Sequence, residues 1–387
     1  MTVRRMVLNE TSYFGAGSRS VLPQELAARG FRRALVMTDK DLVRAGVTAK
    51  VLQVLDAAGF PYATFDRIKQ NPTIANVTDG VAAFKASEAD VIVAVGGGSV
   101  IDTAKAVGII ITNPEFADVR SLEGVAPTKR PSVPLIALPT TCGTAAEVTI
   151  NYVITDEQAR KKMVCVDPHD IPILAIVDSE LMASMPASLV AATGMDALTH
   201  AIEGYITRAA WELTDMFALS AIRGVATYLA RAVASRDDAE AMEGMGLAQY
   251  VAGMGFSNVG LGIVHSMAHP LGAFYDIPHG IANAVLLPYV MAFNAPAAGE
   301  KYRQIAAAMG VQGVEAMSLE EANRAAVEAV RALSQRVGIP ATLDKLGVKE
   351  EDLEALAVAA YNDVCTPGNP RDVTVEDLLA LYRQAYA

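Results

Sequence analysis

Val91-Ile-Val-Ala-Val95 runs without a break into Gly96-Gly-Gly-Ser99 and on into Val100-Ile-Asp-Thr-Ala-Lys105. The apolar, mostly β-branched run reads as a buried strand, the glycines as a tight loop and the last segment as the start of a helix. Strand, glycine loop and helix start together make a phosphate cradle. Glycine lets the backbone approach a pyrophosphate, and the free N–H groups and positive end of the new helix favour an anion there. The run matches neither GxGxxG nor the Walker pattern, so it is a related solution. A plain tight turn with Ser99 and Asp102 as a capping pair is the simpler reading. Both hold together, because a capped helix still presents its N–H groups.

Outward from this run, Ala34–Thr38, 134–138 and 173–177 also read as short strands bounded by Gly, Pro, Asp or Asn, with helical stretches between them. Such alternation predicts an α/β domain with a parallel sheet covered by helices on both faces. Thr11–Phe14 reads as an extra strand, either at a sheet edge or reaching into a second subunit. After about Met185 the strand signals stop. The stretches 214–233, 240–256 and 319–337 carry Ala, Leu, Met and charged residues at helical intervals. The expected organisation is residues 1–185 as an α/β dinucleotide-binding domain and 186–387 as an all-α metal-binding domain, with the active site in the cleft between them. Length agrees, since 387 residues exceed the ~250–300 at which single cores stop growing.

A formal charge of −11 argues against nucleic acid as a partner, because phosphate backbones are bound by clustered Lys and Arg. The first fourteen residues lack the apolar core of a signal peptide, and no segment offers ~18 uninterrupted apolar residues, so neither export nor a membrane span is expected. Cys142, Cys165 and Cys365 are an odd, widely spaced set without a CxxC pair. They suit a reducing cytoplasm better than a disulfide framework.

Asp39 closes the strand Ala34–Thr38. There its carboxylate can accept from both hydroxyls of an adenosine ribose and repel a 2′-phosphate, which favours NAD over NADP; as a bare turn residue it would cap the next helix. Pro139-Thr-Thr-Cys-Gly-Thr144 follows the strand 134–138 and supplies hydroxyls suited to phosphate or ribose.

Four of the five histidines lie in the helical half. Asp196 and His200 stand at i and i+4, on one helix face. His265 and His269 repeat the spacing, and His279 follows beyond Pro270 and Pro278. One carboxylate with several imidazoles suits Fe2+, Zn2+ or a similar ion. Singly, each is as well read as a capping Asp after Thr193 or a satisfied core His; two helical pairs in one helical domain outweigh that. His169, beside Asp167 and Asp170, reads as a surface residue.

Taken together, Gly96–Lys105, Pro139–Glu147, Gly194-Met-Asp-Ala-Leu-Thr-His-Ala-Ile-Glu203 and His265-Ser-Met-Ala-His-Pro270 resemble the iron-containing alcohol dehydrogenases over almost the whole chain. Tyr250–Gly260 and Asp363–Arg371 resemble the members that act on lactaldehyde and propanediol; Cys142 and Val100-Ile101 depart from their pattern. The resemblance implies that Asp196, His200, His265 and His279 bind one divalent metal, Fe2+ first and Zn2+ second, with His269 nearer the substrate as a proton relay. It implies NAD contacts at Asp39, Asn71, Gly97, Gly98, Ser99, Thr140, Thr141, Thr144 and Lys162. Asn151, Phe256, Leu261 and Cys365 resemble residues that narrow the substrate channel.

The implied activity is a metal-dependent NAD(H) oxidoreductase for a small aldehyde or alcohol in a cytoplasmic homodimer. Lactaldehyde and propane-1,2-diol come first; glycerol, ethanol and 1,3-propanediol stay open. Two rivals share the plan: a dehydroquinate-synthase-like lyase and a non-catalytic NAD or polyol sensor. The lyase would need basic residues for its anionic substrate, and Val251–Leu287 contains no Lys or Arg.

Overall fold

In a computed structural model that describes residues 3–386, the strand before the glycine loop lies inside a six-stranded parallel sheet of order β1-β8-β5-β4-β2-β3. The strands are β1 (Thr11–Phe14), β2 (Ala34–Met37), β3 (Tyr62–Phe65), β4 (Val91–Gly96), β5 (Leu135–Pro139) and β8 (Leu174–Val177). The hairpin β6 (Asn151–Asp156) and β7 (Lys161–Val166) forms a separate antiparallel pair. With them run α1 (Leu22–Ala28), α2 (Lys40–Arg44), α3 (Val47–Ala57), α4 (Ile74–Ser87), α5 (Gly98–Thr112) and α6 (Ser179–Met182). These elements make a first compact unit that ends at Met185.

The unbroken apolar run of β4 follows from burial on both faces. Ile92 and Ala94 join Leu35, Met37, Leu135 and Ala137 in one core, while Val91, Val93 and Val95 join Ala34, Val36, Ile136 and Leu138 in the other. β2 and β4 are neighbours, but the chain leaves β2 towards β3 and leaves β4 towards β5. That reversal is a topological switch point, where open α/β sheets leave a crevice at the strands' carboxyl ends. Asp39 and Gly96–Gly98 are the residues at those two ends.

β1 pairs in parallel with β8, Thr11 beside Leu174 and Phe14 beside Val177. Of the two placements open to it, the strand takes the edge of its own sheet. β3, β6 and β7 were not expected from the sequence. His169 keeps over a third of its side chain exposed, in keeping with a surface residue, and its Nδ1 lies 2.9 Å from Thr128 Oγ1 and 3.4 Å from Asp167 Oδ1.

From Pro186 a second unit is built of helices alone among the described residues. They are α7 (Ala187–Ile206), α8 (Glu212–Ala234), α9 (Ala239–Phe256), α10 (Ile263–Tyr275), α11 (His279–Ala298), α12 (Lys301–Ala308), α13 (Leu319–Arg336), α14 (Leu353–Tyr361) and α15 (Val375–Tyr386). The fold is therefore α/β followed by all-α.

α13 shows the ordinary logic of a surface helix: Ser318 and Glu321 form a capping box, and Ala322, Ala326, Val330 and Leu333 make one buried stripe. α7 differs, being buried along most of its length yet carrying Asp196, Thr199, His200 and Glu203 on one face. Buried polar groups in such a stripe need partners. α8 and α11 are long and apolar enough to cross a membrane by length and composition. α11 is however largely buried, and α8 carries Glu212, Asp215, Arg223 and Arg231.

Candidate functional site

In the first unit α5 starts directly after the glycine loop, with Gly97 as its N-cap and no side-chain cap. The expected Ser99–Asp102 capping pair is not formed. Asp102 instead accepts the Val153 N–H at 3.0 Å, and burial pushes its carboxyl up to about 7, partly offset by Lys105. Lys105 is fully buried and donates to the carbonyls of Thr149 (2.5 Å) and Asn151 (2.8 Å). The two residues thus tie the glycine-loop helix to the start of β6 and leave its first N–H groups for a ligand.

The threonine loop lies against this helix start. A Cβ on Gly97 would come within 2.9 Å of Thr141 Cγ2, and one on Gly98 within 2.8 Å of Thr144 Cγ2. Thr140 N donates to Gly96 O at 3.1 Å. Ser99, one residue into α5, accepts from Thr103 Oγ1 through its carbonyl. Lys162 Nζ donates to Asn71 Oδ1 at 2.8 Å, so these two candidates meet under the hairpin. Asp39 caps α2 by accepting the Leu42 N–H at 2.8 Å, and burial raises its carboxyl pKa. The capping reading of Asp39 therefore applies whether or not a ribose is also bound.

In the second unit three helices bring their polar residues together. Asp196 lies at the middle of α7, far from the helix start, so it is no cap; Thr193 satisfies its own hydroxyl on Leu189 O. Ligand atoms of Asp196, His265 and His279 all lie within 4.8 Å of one another. His265 Nε2 is 4.0 Å and His279 Nε2 is 3.7 Å from Asp196 Oδ1. His200 stands beside them, its Nδ1 3.9 Å from Asp196 Oδ2 and its ring centroid 4.5 Å from that of His265.

His265 is fully buried, and that burial pushes it down to about 4 against the pull of Asp196. Its Nδ1 lies 2.6 Å from Glu203 Oε2, while Glu203 Oε1 accepts the Val264 N–H at 2.7 Å. One carboxylate thus caps α10 and orients the imidazole. Burial raises Glu203 to about 7 against the backbone N–H groups it accepts. A neutral His265 that donates from Nδ1 turns an Nε2 lone pair inward, the form a metal needs.

His269 belongs to a second cluster with Asp363 and Cys365. Its Nδ1 lies 2.7 Å from Asp363 Oδ2. Burial pushes the Asp363 carboxyl up, but His269 and the Cys365 N–H outweigh it and hold it down at about 2. Burial pushes the Cys365 thiol up, so it stays protonated. Of the channel candidates, Phe256 stacks on His200 with centroids 4.2 Å apart. Cys365 adjoins His269, and Leu261 packs its carbonyl against Gly368, where a Cβ would stand 2.2 Å away. Asn151 belongs to the first unit, where it opens β6.

Two family patterns match the chain: "Iron-containing alcohol dehydrogenase" over residues 9–179 and "Fe-containing alcohol dehydrogenase family, C-terminal" over 190–386. The chain belongs to the iron-containing alcohol dehydrogenases. It is 61% identical over 382 residues to the lactaldehyde reductase of Escherichia coli (strain K12), covering 99% of each. Its fold matches a crystal structure of 1,3-propanediol oxidoreductase with a TM-score of 0.96, 41% identity and complete coverage of both chains. It also matches sulfoacetaldehyde reductase from Bifidobacterium kashiwanohense in complex with NAD+, with a TM-score of 0.88, 28% identity and complete coverage of both.

For a member of this family the residues present fit the expected groups. A buried carboxylate and converging imidazoles suit a divalent ion. An uncapped helix start at a switch point, lined by threonines, suits a dinucleotide. The family motifs include Glu203, but its role was not legible before the structure; its place seven residues after Asp196, two helical turns along the same face, was the available signal. Asp363 was missed as well. Glu203→Gln protein is expected to lose about 10–100-fold in metal affinity, read by competition with a chromophoric chelator. Unchanged affinity would show that His265 needs no such partner.

Proposed function

We propose that the chain reduces lactaldehyde to propane-1,2-diol with NADH, and runs the reverse with NAD+. Asp196, His200, His265 and His279 would hold one divalent ion, iron first. The convergence of Asp196, His265 and His279, with His200 alongside, carries this reading, and the 61% identity to a lactaldehyde reductase supports the substrate. When bound, the ion supplies Lewis acidity for the carbonyl oxygen and the nicotinamide supplies the hydride.

The chain's own residues do the rest. The free N–H groups at the start of α5, with Thr140, Thr141 and Thr144, bind the pyrophosphate. Asp39 and the Lys162–Asn71 pair bind further along the dinucleotide. His269 would give the substrate oxygen the proton that completes the alcohol. Ionised Asp363 holds His269 Nδ1–H, leaving Nε2 to exchange that proton. Phe256, Leu261 and Cys365, all in the second unit, would narrow the channel to a compound of two to four carbons. Asp363→Asn protein is expected to keep KM within a few-fold and lose about 10²-fold or more in kcat, measured as NADH oxidation. An unchanged kcat would remove His269 from the proton path.

NADH oxidation across lactaldehyde, 3-hydroxypropanal, acetaldehyde and glyceraldehyde tests the substrate. The highest kcat/KM is expected with lactaldehyde. The likeness to 1,3-propanediol oxidoreductase favours 3-hydroxypropanal as the second reading, and a higher value for it would replace the first. Lactaldehyde and glyceraldehyde differ by one hydroxyl, which an apolar pocket rejects by only about 10²-fold, so these two should rank within about that factor. Three free cysteines support a reducing cytoplasm. The partner we propose is a second copy of the chain, laid along the outer edge of β1; a monomer in sedimentation would exclude it.

A further inference from the structure

Each of three helices carries a polar pair one turn apart: Asp196 and His200 on α7, His265 and His269 on α10, and His279 and Asn283 on α11. The last member is the one to which no role has been given. Asn283 is fully buried, and its Nδ2 lies 2.7 Å from Asp196 Oδ1, 3.2 Å from His265 Nε2 and 3.1 Å from His279 Nε2. Its Oδ1 is buried without a hydrogen-bond partner.

We propose that Asn283 is a further member of the metal site, whose carboxamide turns to present Oδ1 to the ion. Two N–H hydrogens are aimed at the lone pairs that a cation would use, so the amide and a cation compete for the same acceptors. A half-turn about Cβ–Cγ exchanges nitrogen for oxygen at the same place, removes that conflict and gives the unpartnered oxygen a charge to face. The spacing allows direct ligation. Two atoms at about 2.1 Å from one ion and at right angles stand about 3.0 Å apart, the range that separates the Asn283 amide from the other three groups. The same turn explains why this position is an amide rather than a carboxylate: without a cation, the two NH2 hydrogens are shared among Asp196 and two imidazoles, where a second negative charge would repel Asp196.

The inference rests on the metal site proposed above, and one titration separates the two. Purified chelator-treated protein is titrated with Co2+, read by visible absorption, and with Zn2+ against a chromophoric chelator, using wild type, Asn283→Leu and Asn283→Asp. Asn283→Leu, close in size and without oxygen, is expected to bind about 10–100-fold more weakly. Its Co2+ bands should intensify as the coordination number falls. Asn283→Asp keeps the oxygen and is expected to bind at least as tightly as wild type. NADH binding, followed by fluorescence, should be unchanged in both.

Wild type that takes up neither ion removes the site itself. Wild type that binds, beside a folded Asn283→Leu with equal affinity and an unchanged Co2+ spectrum, removes only Asn283. An Asn283→Asp protein as weak as Asn283→Leu would also overturn the proposal, since the NH2 group would then be what matters. Should Asn283→Leu fail to fold by circular dichroism, Asn283→Ala is read in its place with the same expectations.

Discussion

Asp196→Ala protein is expected to purify without bound divalent metal and to lose on the order of a thousandfold or more in kcat/KM for aldehyde reduction. Asp196 is the only carboxylate among the proposed ligands, and its Oδ1 is the atom on which His265, His279 and Asn283 converge. Without it the proposed ligands carry no negative charge, because histidine binds a metal as the neutral imidazole. Lewis-acid stabilisation of a developing alkoxide is worth several kcal/mol, and each ~1.4 kcal/mol is a decade in rate. NADH binding should survive, because the glycine and threonine loops belong to the first unit. Elemental analysis and NADH oxidation check both halves, and full turnover without metal would end the metal-dependent reading.

The second large effect is expected at a residue with no side chain. Gly280 follows His279 at the start of α11, and a Cβ there would stand 2.2 Å from the carbonyl oxygen of Ala192, 2.7 Å from its carbon and 3.3 Å from Asp196 Cβ. The clash is with helix backbone, which cannot rotate aside as a side chain can. Gly280→Ala must therefore push α11 away from α7 and carry His279 away from Asp196. Overpacking of this kind costs about 1–3 kcal/mol, or several degrees in Tm. Metal affinity should fall with it, by about tenfold or more, because ligand geometry depends on the same helix contact. A variant with wild-type Tm and wild-type metal content would show that the close approach is not required.

What was legible in the sequence follows from what each signal encodes. β2, β4, β5 and β8 are buried on both faces, so their sequences are nearly unbroken apolar runs that stand out without an alignment. β6 and β7 alternate buried and partly exposed residues, and Lys161-Lys162 opens β7, so the pair lacks that mark. β3 is a four-residue edge strand with one fully buried side chain, Phe65. The i, i+4 spacing pointed to the helical histidines but treated His265 and His269 alike; only tertiary contact divides them, His265 joining Asp196 and Glu203 while His269 joins Asp363, 94 residues away in sequence. Asp102 looked like a cap because it lies three residues after Ser99. It is bound to Val153 instead, and no local pattern reports a partner 51 residues off. Asn283 was the nearest miss, one turn beyond His279 on the face already under attention.

Diffraction from crystals of the Fe2+-loaded protein, with data collected on both sides of the iron absorption edge, tests the central claim most directly. The account predicts one anomalous peak per chain, about 2.0–2.3 Å from an oxygen of Asp196 and from imidazole nitrogens of His200, His265 and His279. A peak at the His269–Asp363–Cys365 cluster instead, or no peak near Asp196, would contradict it.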